Sequence, residues 1–146
     1  MEQRDYLLRQ IEQLGQVLAM MLARLLKLKQ DPPAGLSLEE IKQVYSNELD
    51  LTLDLILQTP KEEIIEILKS RIKFIDHQLE EMAGIISETA DIMNSSGYID
   101  EAEDLWKKSI YIFEYLQDIT GTYSLDRVLK ITQLKDRFNG VDNSLV

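Results

Sequence analysis

The sequence contains no cysteine. That excludes a disulfide scaffold, a cysteine nucleophile and thiolate metal ligands. A single histidine, His77, allows no imidazole cluster, so the His-Glu-x-x-His zinc motif is absent. The Glu-x-x-His of di-iron bundles is absent too, because position 74, three before His77, is phenylalanine. With only six glycines, neither phosphate-binding pattern occurs, G-x-x-x-x-G-K-[ST] or G-x-G-x-x-G. There is no G-x-S-x-G elbow to raise a serine nucleophile. No run of ~18 apolar residues exists, so no membrane span is expected. The opening MEQRDYLLRQ lacks the basic-then-apolar order of a signal peptide, and a cytoplasmic location is expected. Positive charge is also scarce: 16 basic against 26 acidic residues gives −10, which opposes nonspecific binding to nucleic acid and anionic lipid. No enzyme, cofactor or metal is expected on these grounds.

What is present is helical periodicity. The chain has 146 residues, 45% hydrophobic and 29% charged, which fits one globular domain with a core of its own. Over residues 1–30, Leu7, Ile11, Leu14, Leu18, Met21, Leu25 and Leu28 step 4, 3, 4, 3, 4, 3, an a/d heptad in one long helix. Leu8, Val17, Leu22 and Leu26 widen the stripe beyond a coiled-coil seam, which suggests more than one neighbour. The first reading is the spine of the domain's own core. The second adds pairing with the same helix of another copy, a homodimer through the N-terminal helix. Five basic residues against three acids make this segment +2, leaving −12 elsewhere. Its mixed, glutamine-rich polar face argues against lying on a membrane.

Asp31-Pro32-Pro33-Ala34-Gly35 stops the helix, because proline lacks the amide donor and restricts the residue before it. Short helices are expected over 37–70. Ser37-Leu38-Glu39-Glu40 and Thr59-Pro60-Lys61-Glu62 both read as capping boxes, the second with proline at N1. Ser46-Asn47 weakens the first of these helices. Leu49, Leu51, Leu53, Leu55 and Leu57 alternate like a strand, but a lone strand has no partner, so 51–58 is read as a helix. Near Ser70–Ile75 the pattern blurs, and Asp76 is placed as the cap of the next helix. Ser124 is a good N-cap for a last helix over 124–138, with Asp126 in its first turn; Asn139-Gly140 is read as closing it, leaving a tail over 139–146.

The organising stretch is a helical hairpin over 77–117. Leu79, Met82, Ile86 and Met93, with Ala83 and Ala90, form one stripe; Ala102, Leu105, Trp106, Ser109, Phe113 and Leu116 form the other. Asn94-Ser95-Ser96-Gly97 is the turn, with Gly97 free to take positive φ just past the helix end. Gly121 ends the second arm. The run Ala90…Gly97-Tyr98-Ile99-Asp100-Glu101-Ala102…Trp106…Ser109 resembles one tetratricopeptide (TPR) repeat. The family's early Trp and Leu-Gly positions are Ile86 and Thr89-Ala90 here, and its closing Pro is Glu114. Repeat proteins need ~3 units to stack, so the resemblance implies a TPR-like hairpin inside another fold. More loosely, the whole chain resembles an uncharacterised family of small all-helical bacterial proteins, which implies no known activity. The expected fold is all-α: an irregular bundle of about six helices.

Candidate binding residues follow from charge and aromaticity. Adjacent acids point to different sides of a helix, so the acid pairs make no shared-proton dyad. Asp100, Glu101, Glu103 and Asp104 lack EF-hand spacing and suit a basic segment of a protein or peptide partner. Tyr111 and Tyr115 lie on a different face from the inward Trp106 and Phe113; the last helix is expected to cover them, with an interface as the alternative. The Lys and Asn of a TPR carboxylate clamp are not recognisable, since Lys73 and Asn94 lie too far apart. Three functions compete: a non-catalytic protein–protein interaction module, a self-associating structural protein built on the N-terminal heptads, and a carboxylate- or metal-dependent enzyme.

Overall fold

The computed structural model describes residues 2–45, 50–121 and 124–144, with side chains over 3–45, 50–121 and 124–139. Helices run in the order α1 (Glu2–Gln30), α2 (Leu38–Lys42), α3 (Leu53–Gln58), α4 (Lys61–Glu66), α5 (Asp76–Ser95), α6 (Ile99–Thr120) and α7 (Leu125–Ser144), with a π turn at Ile67–Arg71 directly after α4. No strand occurs among the described residues, and the fold is all-α. The sequence signals at Ser46, Asn47 and Leu49 lie outside the described residues.

The α5/α6 hairpin is the centre. Ser96 ends α5, and Gly97 at φ 92° reverses the chain. The Tyr98 amide donates to the Met93 carbonyl at 2.9 Å and the Gly97 amide to the Asn94 carbonyl at 3.2 Å. This is the Schellman pattern, which satisfies carbonyls that a helix end otherwise orphans. Small residues let the two arms close: Ala83, Ala90 and Ala102 are fully buried, and the Ser109 hydroxyl donates across the hairpin to the Ala83 carbonyl at 2.7 Å. Trp106 fills the space beside them, 2% exposed. Ala102→Leu should overpack this contact and destabilise by about 1–3 kcal/mol. A melting temperature equal to wild type would show that Ala102 is not confined.

Around the hairpin, α1 and α2 pack on α5, α3 and α4 on α6, and α7 on α6. Polar groups inside this core are paired. The buried Tyr45 hydroxyl meets the Thr89 hydroxyl at 2.9 Å; burial pushes its pKa up, while the Thr89 bond works the other way. Gln78, 1% exposed, accepts from the Ile75 amide at 3.1 Å and donates to the Ile11 carbonyl at 3.0 Å, pinning α1 to the start of α5.

The local signals fare unevenly. Ser37 caps α2, accepting from the Glu40 amide at 3.2 Å. The alternating leucines fold as α3, whose first turn is capped by Thr52 accepting from the Leu55 amide at 3.1 Å. Thr59 does not cap α4. Its hydroxyl turns back to the Leu55 carbonyl at 2.5 Å, and α4 starts after Pro60 without a side-chain cap. The blurred stretch at 70–75 is the exit of the π turn: the Phe74 amide returns to the Leu68 carbonyl at 2.9 Å, and Lys73 takes φ 66° to allow it. Ile75, not Asp76, is the N-cap of α5. Gly121 closes α6 in the left-handed region at φ 61°. Ser124 caps α7, accepting from the Arg127 amide at 3.3 Å. Asn139-Gly140 does not end that helix, which continues to Ser144; one helical glycine costs only about 1 kcal/mol, too little to stop a helix already formed.

Candidate interaction surface

α1 is longer than anything it lies on. Leu18, Met21 and Leu25 are fully buried, and Lys29 bonds Glu88 and Asp91 of α5, each at 2.9 Å. At the other end the Gln78 bond to Ile11 marks where α5 begins. Residues 3–10 lie beyond it and all are exposed. At about 1.5 Å per residue, the stretch before Ile11 overhangs by roughly 13 Å. Tyr6 and Leu7 on this overhang are 62% and 56% exposed.

Two uncovered flanks follow from the width of the apolar stripe. One forms a cleft of about 950 Å³ against the exit of the π turn, lined by Leu7, Ile11, Leu14, Met20, Ile72 and Ile75 with Gln10, Gln13 and Gln16 among them. The other flank carries Leu8, Gly15, Ala19, Leu22 and Leu26, which a 3.6-residue turn brings to one side. Leu8 is 50% and Leu26 40% exposed, Leu22 is half-buried, Ala19 is exposed, and a Cβ built on Gly15 would meet no atom within 4 Å.

The residues singled out on α6 are differently placed. Asp100, Asp104, Tyr111 and Tyr115 share a face, in steps of 4, 7 and 4, with Lys108 between them. That face packs on α3, α4 and the π turn. Asp104 accepts from Lys108 at 2.5 Å, and Lys108 also donates to the carbonyls of Ile56 at 2.7 Å and Leu57 at 3.0 Å. Tyr115 accepts from Lys69 at 3.1 Å, and Tyr111 and Tyr115 border a shallow hollow of about 460 Å³ with Lys69, Glu62 and Glu66. Both tyrosines are half-buried beside α4 and the π turn. Asp100 is exposed, Glu101 and Glu103 are half-buried, and the Glu103 Oε1 atom is shielded without a partner. The acids and tyrosines are not brought together as one open patch.

Two carboxylates bind the long helices to each other. Asp91 accepts from the Trp106 indole at 3.1 Å, from Lys29 at 2.9 Å and from Arg137 at 2.9 and 3.0 Å, so it joins α1, α5, α6 and α7. At Lys29 desolvation works to lower the pKa, but the bonds to Asp91 and Glu88 outweigh it and the pKa is raised. Glu80 accepts from Arg127 at 2.9 Å, and Arg127 reaches Gln117 and Thr120 at 3.2 Å as well. His77 is exposed and faces Glu81 at 3.0 Å. No group of three His, Cys, Asp or Glu able to hold a metal occurs among the described residues, and no described helix is long and apolar enough to cross a membrane.

No protein family, curated protein or solved structure matches this chain. The surface must be judged on its own chemistry. Large apolar side chains stand in water along α1, whereas on α6 Lys108 and the two tyrosines border α3, α4 and the π turn and the acids are spread from exposed to half-buried. The pointer to α1 in the sequence was the excess width of its stripe: Leu8, Leu22 and Leu26 exceed what one neighbour can cover.

Proposed function

We propose that this protein is a non-catalytic protein–protein interaction module whose contact face is the uncovered side of α1. One observation carries the reading: α1, whose Leu18, Met21 and Leu25 are fully buried, also holds Leu7, Leu8 and Leu26 at 56%, 50% and 40% exposure. Isolated exposed leucines are ordinary, but contiguous apolar surface along one element marks a contact site. The α5/α6 hairpin, with its TPR-like small residues, is the platform and not the groove, since α5 is covered by α1 and α6. The acids at the start of α6 give that end of the molecule a negative field that favours a basic or neutral segment against that end.

A photo-reactive amino acid at Leu8, compared with one at exposed Asp118 on α6, tests this reading. Irradiation in cells should give a discrete covalent adduct from position 8 and none from position 118. Absence of any adduct at position 8 refutes the assignment of α1 as the contact face.

A further inference from the structure

We infer that the flank of α1 bearing Leu8, Leu22 and Leu26 receives the same flank of a second copy of this chain, with the two helices antiparallel. This rests on the interaction reading above and names the partner. The argument is electrostatic complementarity along an exposed apolar stripe. Charges on α1 are segregated. Residues 2–12 carry Glu2, Asp5 and Glu12 against Arg4 and Arg9, net −1; residues 13–23 carry none; residues 24–30 carry Arg24, Lys27 and Lys29, of which Lys29 is held by Glu88 and Asp91, leaving +2. Antiparallel pairing lays each −1 end on a +2 end. Parallel pairing lays +2 on +2. Along the edge of the stripe, Asp5, Arg9 and Glu12, net −1, lie at one end and Lys27 at the other, so the antiparallel arrangement sets a net-negative edge near Lys27 of the second copy at both ends.

The register follows from the apolar positions. Centred on residue 17, Leu8 meets Leu26 of the second copy and Gly15 meets Ala19, twice over by symmetry. A two-fold contact of this kind uses one patch against itself. At the crossing the side chains are smallest, so the backbones approach while the leucines interlock on either side. Over the 18 residues from Leu8 to Leu26 the contact is about 27 Å long. The whole chain at −10 repels a second copy. α1, with five basic residues against three acids, is the most positive of its helices and therefore the element on which two copies meet at least electrostatic cost.

The absence of cysteine makes a direct test clean. Light scattering on the full chain, at up to about 100 μM, well above the micromolar Kd of a modest contact, should give twice the 16.9 kDa mass of one chain. Leu8→Glu with Leu26→Glu should halve that mass, while the melting temperature stays within about 2 °C, since both positions are exposed. Leu8→Cys and Leu26→Cys proteins, mixed and oxidised, should form a disulfide-linked pair that neither forms alone, because the bond requires Cα atoms within about 7 Å. Crosslinking of either variant by itself overturns the antiparallel arrangement. A mass of 16.9 kDa at all concentrations overturns self-pairing. In that case an adduct of a different mass from the position-8 photo-crosslink leaves the interaction reading standing, and no adduct removes both.

Discussion

Lys108→Met should destabilise the protein by about 3 kcal/mol, even though methionine keeps most of the side chain's length and volume. Lys108 is 2% exposed, and its ammonium donates to two carbonyls at the end of α3 and to Asp104. Those carbonyls, Ile56 O and Leu57 O, belong to the last turn of a six-residue helix and have no intrahelical donors of their own. A cation at a helix C-terminus also meets the negative end of its dipole. Methionine brings a thioether to the same place and satisfies neither carbonyl. An orphaned buried acceptor costs about 1–3 kcal/mol; the loss of two is partly offset because the buried charge is gone too. For 146 residues each kcal/mol lowers the melting temperature by roughly 3 °C, so a fall of roughly 10 °C is expected. Amide hydrogen exchange should quicken first over 53–58. Asp104→Asn should cost less than about 1 kcal/mol, because that carboxylate is 43% exposed and water replaces its partner. If Lys108→Met melts at or above the wild-type temperature, the α3 carbonyls do not depend on the lysine.

Lys108 also shows where sequence reading stops. An Asp-x-x-x-Lys pair within an acidic stretch looks like an ordinary surface ion pair. Its burial depends on α3 lying across α6, and α3 carried the least clear signal in the chain, leucines alternating with period two. The turn and the two apolar stripes of the hairpin, by contrast, were legible. Gly97, the small residues Ala90, Ala102 and Ser109, and the 3.6-residue stripes are local, and tertiary packing agrees with each. Thr59 misled because Thr-Pro-x-Glu fits a capping box equally well whether the hydroxyl turns forward to α4 or back to α3; only the end of α3 decides it. The π turn at Ile67–Arg71 had no signal beyond a blurred period. The wide stripe of α1 was legible as an excess of apolar positions, but which of them stay uncovered depends on where α5 begins, at Asp76.

Asp91→Ala should lower the melting temperature by roughly 6–9 °C, equivalent to about 2–3 kcal/mol at this chain length. The carboxylate is 12% exposed and serves three donors from three other helices. Its ionic partners contribute little on their own: Lys29 and Arg137 are each 43% exposed and regain water when released, so each pair is worth at most about 1 kcal/mol. The larger part comes from Trp106. Its indole N–H sits in a residue 2% exposed, and without Asp91 it loses its acceptor. Asp91→Asn separates the two contributions, since the amide oxygen still accepts from the indole while the charge is removed. That variant should lose only about 1 kcal/mol, and most of its deficit should vanish in 1 M salt, where exposed ion pairs are screened in the wild type too. As the sole tryptophan, Trp106 reports its own environment by fluorescence, and its emission should shift in Asp91→Ala but not in Asp91→Asn. Equal losses in both variants would place the stabilisation in the ion pairs instead. The helix junction would then be a surface charge network, in which Lys29 holds the end of α1 to α5 alongside the buried apolar residues and Gln78.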